Sequence, residues 1–374
     1  MADEQHARLL LAIVERRWTD AERLAPVAVG DPAGFVALCR QCDVPTWVHA
    51  LLAGGGREHL AGAEALRQLA AIRSKVQRDN LLLLSLAERA LDTLSAAGIV
   101  PVALKGLDLL HRVYARFDER TLDDIDLLVA PHELPAALAA LEAAGWRAPA
   151  EPQRTHYVRS SHHLPLLAPA PVKVELELHW NLVQERRYRV DGGALLERAV
   201  PTVISGRRLL RLEDHDAVAH LLLHHFTHYF DRKLKWAVDL HALAGRPDFH
   251  WALVAGRIRE WGATAACAMS LEHLAKLVPS WIPPEIRARL PVAAWRRGLT
   301  LPLRSGHPLE LFRARQRRAV QLFLASALLE RPALLPAWVV HRVLRDRRRG
   351  SHPLDRDGTH PTHDSASGRK TAAR

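Results

Sequence analysis

Apolar residues recur at helical spacing through most of the chain, and residues 3–97 are the first such region. Leu9, Leu10 and Ile13 lie on one face of a helix, and a long amphipathic stretch starts at about residue 58. That stretch stops before Gly98, a residue typical of the position after a helix end. The spacing therefore predicts an N-terminal region built of helices.

The pattern changes at Gly98, where short apolar runs bounded by turn residues begin to alternate with helical segments. Strands are predicted at 99–104, 124–129, 163–167 and 172–180, with helices after residue 105 and over 133–144. The last of these strands alternates, so Glu175, Glu177 and His179 share one face. So few strands predict a small mixed sheet.

Past Leu182 the helical period returns and predicts a bundle. Its helices are expected near residues 213–230, 234–244, 251–261, 263–277 and 310–329. From residue 345 the pattern dissolves into polar and charged residues, which predicts disorder. The fold class predicted is α+β, with an N-terminal helical region (1–97), a mixed-sheet core (98–182), a C-terminal helical domain (183–344) and a disordered basic tail (345–374).

Composition narrows the class of protein. The chain has 374 residues, 48% of them hydrophobic, which is ordinary for a protein with a substantial core. No apolar run approaches the roughly 18 residues of a membrane span, and the acidic N-terminus does not resemble a signal peptide. Three cysteines exclude a disulfide scaffold, so we expect a cytoplasmic protein with no membrane partner. Cys39 and Cys42 are interpreted as buried helix cysteines, because no second pair completes a zinc site.

The net charge of +11 admits an anionic partner. Of the 52 basic residues only seven are Lys, and an excess of Arg over Lys is typical of a GC-rich genome. A solvated basic surface is therefore the favoured interpretation.

Asp124 and Asp126 carry the clearest chemical signal. Residues two apart in a strand point to the same face, so these carboxylates lie about 6–7 Å apart along the strand. Like charges at that spacing repel unless a cation lies between them, and Mg²⁺ prefers carboxylate oxygens. A third carboxylate from a neighbouring strand would complete a two-metal site for displacement at phosphorus. A solvated acidic strand face is the alternative.

A strand-to-helix turn upstream adds a phosphate-binding element. Leu104-Lys105-Gly106 places a glycine where a ligand can approach the backbone, at the start of a helix with free N–H donors. Arg120 either neutralises phosphate charge or forms a structural ion pair with Asp123 or Asp124.

Several polar residues are weaker candidates. His179 shares the face of the carboxylates and could act as a base, contact the acceptor or hold a carboxylate in place. Asp239 either lines the cleft or lies on a helix surface. His220, His224 and His228 recur every four residues, which is typical of core or interface histidines, with metal or acceptor binding as the alternative.

Taken together, these motifs resemble the nucleotidyltransferase superfamily with the DNA polymerase β-like palm, and more narrowly the bacterial family of uncharacterised nucleotidyltransferases. The resemblance rests on Leu104-Lys105-Gly106, Tyr114, Arg120 with Asp124-Ile125-Asp126-Leu127-Leu128-Val129, Glu177-Leu178-His179-Trp180 and Lys235-Trp236-Ala237-Val238-Asp239-Leu240. It covers about residues 81–244. Two positions depart from the superfamily pattern: Leu107 follows the turn glycine where Ser or Gly is common, and the third carboxylate is a Glu.

The resemblance implies an enzyme that transfers a nucleoside monophosphate from NTP to an acceptor hydroxyl and releases pyrophosphate. It implies Asp124, Asp126 and Glu177 as catalytic ligands of Mg²⁺ or Mn²⁺, and Lys105, Gly106 and Arg120 as nucleotide-binding residues. His179 and Asp239 would lie around the acceptor or behind the ligands. Glu175 is open as an alternative third carboxylate, although alignment on Leu-His-Trp favours Glu177.

Other functions remain open on the same residues. A different phosphotransfer could use the same palm, and a catalytically weak nucleotide- or RNA-binding module would depend more on the basic surface. The acceptor is open among a small molecule, a protein and RNA, and the base preference and oligomeric state are open too.

Overall fold

The structure, a computed structural model, describes residues 2–184, 187–228 and 234–296, and it begins with helices. These are α1 (Ala2–Val14), α2 (Trp18–Gly30), α3 (Pro32–Gln41), α4 (Pro45–Ala53) and α5 (Gly62–Ala96). Local chemistry sets their ends. The side chain of Asp31 accepts a hydrogen bond from the Gly34 N–H at the start of α3. Gly98 follows α5 with a φ of 75°, a conformation that favours glycine.

The central stretch alternates strands and helices as predicted, with one helix at 153–160 that was not predicted. Its strands are β1 (Val102–Ala103), β2 (Ile125–Leu128), β3 (His163–Leu167) and β4 (Glu175–His179). Helices α6 (Lys105–Arg112), α7 (Leu134–Ala143) and α8 (Gln153–Ser160) lie between them in the chain. A further helix, α9 (Gly192–Arg198), leads into strands β5 (Val200–Ile204) and β6 (Arg207–Arg211).

Within the described residues, these six strands form one mixed sheet in the order β3-β4-β2-β1-β6-β5. β1 is antiparallel to β2 and parallel to β6, and β2 is parallel to β4. The outer pairs, β3 with β4 and β5 with β6, are antiparallel. The predicted α+β class with a mixed sheet is confirmed.

The hairpin of β5 and β6 lies in the region predicted to be a helical domain, ahead of the first helix expected there, and no strand was predicted at its position. β5 is an edge strand, and Val203, 61% exposed, points away from any core. Such a strand lacks the apolar alternation on which the prediction relied. The turn itself carries a signal, because Ser205 and Gly206 both have positive φ, the conformation of a tight hairpin turn.

The remaining helices are α10 (Asp214–Thr227), α11 (Lys235–Ala244), α12 (Trp251–Glu260), α13 (Thr264–Leu277) and α14 (Pro284–Arg289). The first four lie where the spacing predicted helices. The Glu213 side chain accepts hydrogen bonds from the first N–H groups of α10. The helix predicted at 310–329 and the tail at 345–374 lie outside the described residues.

Two hydrophobic cores organise these elements. One joins α1 to α4 with α10 to α14, and it includes the buried Cys39 and Cys42. The other packs the second half of α5 and helix α7 against the sheet. The division at residues 97, 182 and 344 stays a prediction. No helix in the described part of the chain is long and apolar enough to cross a membrane.

Candidate active site

Strands β2 and β4 bring two carboxylates together. In this parallel pair Asp126 stands opposite Glu177, and residues opposite each other in a sheet project from the same face. Asp126 is 1% exposed and Glu177 is half-buried. Asp124, also half-buried, immediately precedes β2 and shares the face of Asp126. The structure therefore brings together two of the three predicted metal ligands, Asp126 and Glu177, while Asp124 lies on the same face but outside the described groups whose ligand atoms lie within 4.8 Å of one another.

Lys105 completes this cluster from the turn between β1 and α6. Its Nζ donates to Oδ1 of Asp126 at 2.7 Å and to Oε2 of Glu177 at 3.3 Å. The residue has a φ of 44°, a left-handed conformation that non-glycine residues rarely adopt and that concentrates at functional sites. Lys105 was predicted to contact phosphate; the structure places its ammonium between the carboxylates.

His179 closes the same cluster from the end of β4. Its Nε2 lies 2.9 Å from Oδ1 of Asp126 and 3.1 Å from Oε2 of Glu177. Its Nδ1 lies 3.3 Å from the backbone oxygen of Asn181. We call Asp124, Asp126, Glu177, Lys105 and His179 the carboxylate cluster.

Two further histidines line the cluster, and sequence reasoning missed both. His163 stands opposite His179 in the antiparallel pair of β3 and β4, and its Nε2 lies 3.5 Å from Oε1 of Glu177. The Nδ1 of His163 lies 3.4 Å from Nε2 of His162. The sequence did contain a signal, because two adjacent histidines stand at the start of a predicted strand. It did not show how that strand pairs with β4, and this register is what places the histidines at the cluster.

Charge in the carboxylate cluster is unbalanced. Burial disfavours an ionised Asp124, and the charge of Asp126 adds to this, so the pKa of Asp124 rises to about 8. Burial alone would raise the pKa of Glu177, but Lys105 lowers it well below its usual range. Burial opposes a charged Lys105, yet the two carboxylates raise its pKa above the ordinary value. A second positive charge would therefore be stabilised here.

Three observations test whether these residues fit a divalent metal ion. Oδ2 of the buried Asp126 has no hydrogen-bond partner among the described residues, whereas buried carboxylate oxygens normally have one. The ammonium of Lys105 pairs with Asp126 and Glu177, which shows that these carboxylates attract a cation. In the part of the chain described, Asp126, Glu177 and His179 each place a ligand atom within 4.8 Å of the others. The residues fit such an ion.

Arg120 and Asp239 form a separate buried pair. Nε and Nη2 of Arg120 donate to the two carboxylate oxygens of Asp239, both at 2.9 Å. The Tyr114 hydroxyl donates to Oδ1 of Asp239 at 2.7 Å, and Nη1 of Arg120 donates to the Thr121 oxygen at 3.0 Å. We call Arg120, Asp239 and Tyr114 the arginine cluster. The predicted ion pair of Arg120 exists, but its partner is Asp239, whereas Asp123 pairs with Lys235.

Gly106 follows Lys105 in the chain and packs against the arginine cluster. A Cβ at this buried position would lie 2.8 Å from Nη1 of Arg120 and 2.9 Å from a methyl group of Leu122. The glycine is thus needed for the close approach of α6 to the arginine cluster. Its predicted contact with phosphate stays a prediction.

The histidine stripe on α10 packs against an aromatic ring. His224 and His228 lie 4.8 Å and 5.4 Å from Trp236, measured between ring centroids. Among the described residues, the stripe is not one of the groups whose ligand atoms come within 4.8 Å of one another. The contacts favour the packing interpretation.

Comparison with known proteins agrees with the motifs. The family described as uncharacterised nucleotidyltransferase matches residues 30–279. No curated protein matches the chain. A solved structure, that of an antigenic nucleotidyltransferase-like protein from Paracoccidioides brasiliensis, is similar at 15% identity and a TM-score of 0.34, covering 56% of this chain and 91% of that one. That likeness is too low to support an argument. The family match spans well over half of the sequence, and the chain belongs to the uncharacterised nucleotidyltransferases.

Proposed function

We propose that the protein transfers a nucleoside monophosphate from an NTP to an acceptor hydroxyl, with a divalent metal ion as cofactor. The observation that carries this proposal is the in-register pair of Asp126 and Glu177 beside Asp124, together with the buried Oδ2 of Asp126, which has no hydrogen-bond partner in the described part of the chain. Such carboxylates on adjacent strands suit cation-dependent displacement at phosphorus. Family membership supports the same class of reaction.

In the proposed reaction the acceptor oxygen bonds to the α-phosphorus, and the bond from that phosphorus to the bridging oxygen of the β-phosphate breaks. Pyrophosphate leaves, and the hydroxyl proton is released to solvent. Asp124, Asp126 and Glu177 would hold the metal, with Mg²⁺ or Mn²⁺ as the expected ion. When bound, a divalent ion would neutralise triphosphate charge and lower the pKa of the acceptor hydroxyl. No protein nucleophile is required, since such transfer depends mainly on positioning and electrostatics.

The Lys105 ammonium can take two positions in this scheme, one paired with the carboxylates and one paired with the triphosphate. Its ammonium pairs with Asp126 and Glu177, and a bound cation would compete for the same oxygens. Released from them, the ammonium could pair with the triphosphate beside the first N–H groups of α6. Arg120 and Asp239 are proposed to hold the wall of the site, because their polar groups are already engaged with each other.

A catalytically weak nucleotide- or RNA-binding module is the second candidate. The observation in its favour is that the ammonium of Lys105 neutralises part of the charge of Asp126 and Glu177. In either case we propose a cytoplasmic location, because a chain with three cysteines does not carry a disulfide scaffold.

Calorimetry and labelled nucleotide separate these candidates. Titration of ATP and GTP should show binding with Mg²⁺ or Mn²⁺ and little binding in EDTA, because an anionic face does not hold a triphosphate unaided. Incubation with α-³²P-NTPs and cell lysate should yield a labelled product and pyrophosphate. Equal affinity in EDTA would refute the metal assignment, and binding without any labelled product would favour the binding module.

A further inference from the structure

His179 has the surroundings of a metal ligand. The ring is 1% exposed and lies on β4 two residues after Glu177. Its Nε2 is 2.9 Å from Oδ1 of Asp126 and 3.1 Å from Oε2 of Glu177. Ligands about 2.1 Å from an octahedral ion are about 3.0 Å from their neighbours. The nitrogen therefore already lies at the separation of an adjacent ligand from each of the two oxygens, and all three atoms lie within 4.8 Å of one another.

The other ring nitrogen has the partner that metal-bound histidines usually have. Without a cation, Nε2–H donates to the two carboxylates; a metal ion would replace this proton, and an N–H on Nδ1 would then face the backbone oxygen of Asn181, 3.3 Å away. Asn181 is itself held in place. Its side chain donates to the Val190 oxygen at 2.7 Å and accepts from the Leu182 N–H at 2.7 Å.

The surroundings of Glu177 are also rich in nitrogen. Nε2 of His163 lies 3.5 Å from its Oε1, and the rings of His162 and His163 lie 5.6 Å and 5.0 Å from that of His179. Imidazole nitrogen suits transition cations such as Zn²⁺, Co²⁺ and Fe²⁺, whereas sites made only of oxygen suit Mg²⁺. The donor set therefore differs from three carboxylates alone.

We infer that His179 binds the metal ion directly through Nε2, together with Asp126 and Glu177, and that this mixed site prefers a divalent transition cation to Mg²⁺. The inference rests on the proposed function for the metal itself. To that proposal it adds His179 as a further ligand and a transition cation as the preferred class of ion.

Co²⁺ provides a test on the wild-type protein that does not depend on turnover. The NMR spectrum of the Co²⁺-loaded protein should contain a strongly shifted proton resonance from the Nδ1–H of a bound imidazole, and this resonance should disappear in D₂O. Co²⁺ should bind at least about 100-fold more tightly than Mg²⁺ by calorimetry. Bound Co²⁺ without any shifted exchangeable resonance would overturn the inference.

Substitutions then identify the ligand. His179→Gln should remove the shifted resonance and weaken Co²⁺ binding at least about 100-fold, since loss of an outer partner alone typically costs 10–100-fold. Mg²⁺ affinity should change much less. His132→Asn, at an exposed histidine, is the matched control and should bind Co²⁺ like wild type. A resonance that survives His179→Gln but disappears in His163→Asn would assign the ligand to His163 and overturn the proposal.

Failure of this inference is distinguishable from failure of the proposed function. If Co²⁺ and Mg²⁺ bind equally and no imidazole resonance appears, a carboxylate metal site stands without His179. If neither ion binds, both proposals are wrong. Circular dichroism of the metal-free variants shows whether a lost resonance reflects unfolding, and the wild-type spectrum decides the point without them.

Discussion

The carboxylate cluster and the arginine cluster are neighbouring groups of buried charge, and they differ in how completely their polar atoms are paired. Both oxygens of Asp239 accept hydrogen bonds, and the guanidinium of Arg120 balances its charge. In the carboxylate cluster, three acidic side chains surround one lysine and one histidine, and an oxygen of Asp126 has no hydrogen-bond partner within the described residues.

This difference distinguishes a structural cluster from a functional one. A buried ion pair whose polar atoms are all hydrogen-bonded holds one geometry and has no free atom with which to bind a ligand. An unpaired buried oxygen and excess negative charge favour binding of a further cation. Substitutions in the arginine cluster should therefore reduce stability. Substitutions in the carboxylate cluster should reduce activity.

The largest effect is expected at Arg120. Arg120→Met leaves the carboxylate of Asp239 buried without its cation, so the free energy of unfolding should fall by about 3–5 kcal/mol in urea titrations. Arg116→Met is the matched control. Its side chain is 63% exposed, and the loss should stay below about 1 kcal/mol. Weakened NTP binding with unchanged unfolding would instead show that Arg120 contacts phosphate.

Asp126→Asn tests the other side of the comparison. It relieves the repulsion with Asp124 but weakens the pairing with Lys105, which keeps Glu177 as a partner, so the melting temperature in EDTA should change far less than in Arg120→Met. Nucleotide transfer should fall at least about 100-fold, the effect of losing one electrostatic stabiliser of a transition state. Glu177→Gln should behave in the same way. Full transfer activity in Asp126→Asn would place the active site elsewhere.

Asp124 makes the stability of the metal-free protein depend on pH. Its pKa is raised from 3.8 to about 8, so the folded state keeps a proton that the unfolded state has released. This contribution is complete below about pH 4 and is lost as pH rises through 8. Between pH 6.5 and 8 wild type should lose about 1–2 kcal/mol relative to Asp124→Asn, measured by urea unfolding in EDTA. A constant difference between the two proteins across that range would contradict the prediction.

The smallest effect is expected at Glu175. Lys105 and His179 contact Glu177, whereas Glu175 stands opposite Leu167 on β3. Glu175→Gln should therefore keep transfer activity within about twofold, far less than the loss in Glu177→Gln. A loss as large as that of Glu177→Gln would make Glu175 the third carboxylate.

Much of the carboxylate cluster was predictable because its parts are local. Asp126 lies in an apolar strand with Asp124 directly before it, and alternation along β4 placed Glu177 and His179 on one face. The arginine cluster was not predictable in the same way, since Arg120 and Asp239 are 119 residues apart. The spacing of apolar residues predicts helices, but it does not predict which helix of a bundle contacts which loop. The edge strand β5 was missed because apolar and polar residues do not alternate in its sequence, Val-Pro-Thr-Val-Ile, although exposure does alternate along the strand.

The parallel pairing of β1 with β6 has a consequence for how the protein is made. Val102 stands opposite Leu210, so one edge of β1 stays open until the ribosome has added about a hundred more residues. At about 5–20 residues per second this takes about 5–20 s. During that time the nascent chain presents unpaired backbone N–H and C=O groups, and a product truncated before residue 200 would present them permanently. Chaperones that shield open strand edges should therefore raise the yield of folded full-length protein when they are present during synthesis. They should have little effect when they are added to the protein after it has folded.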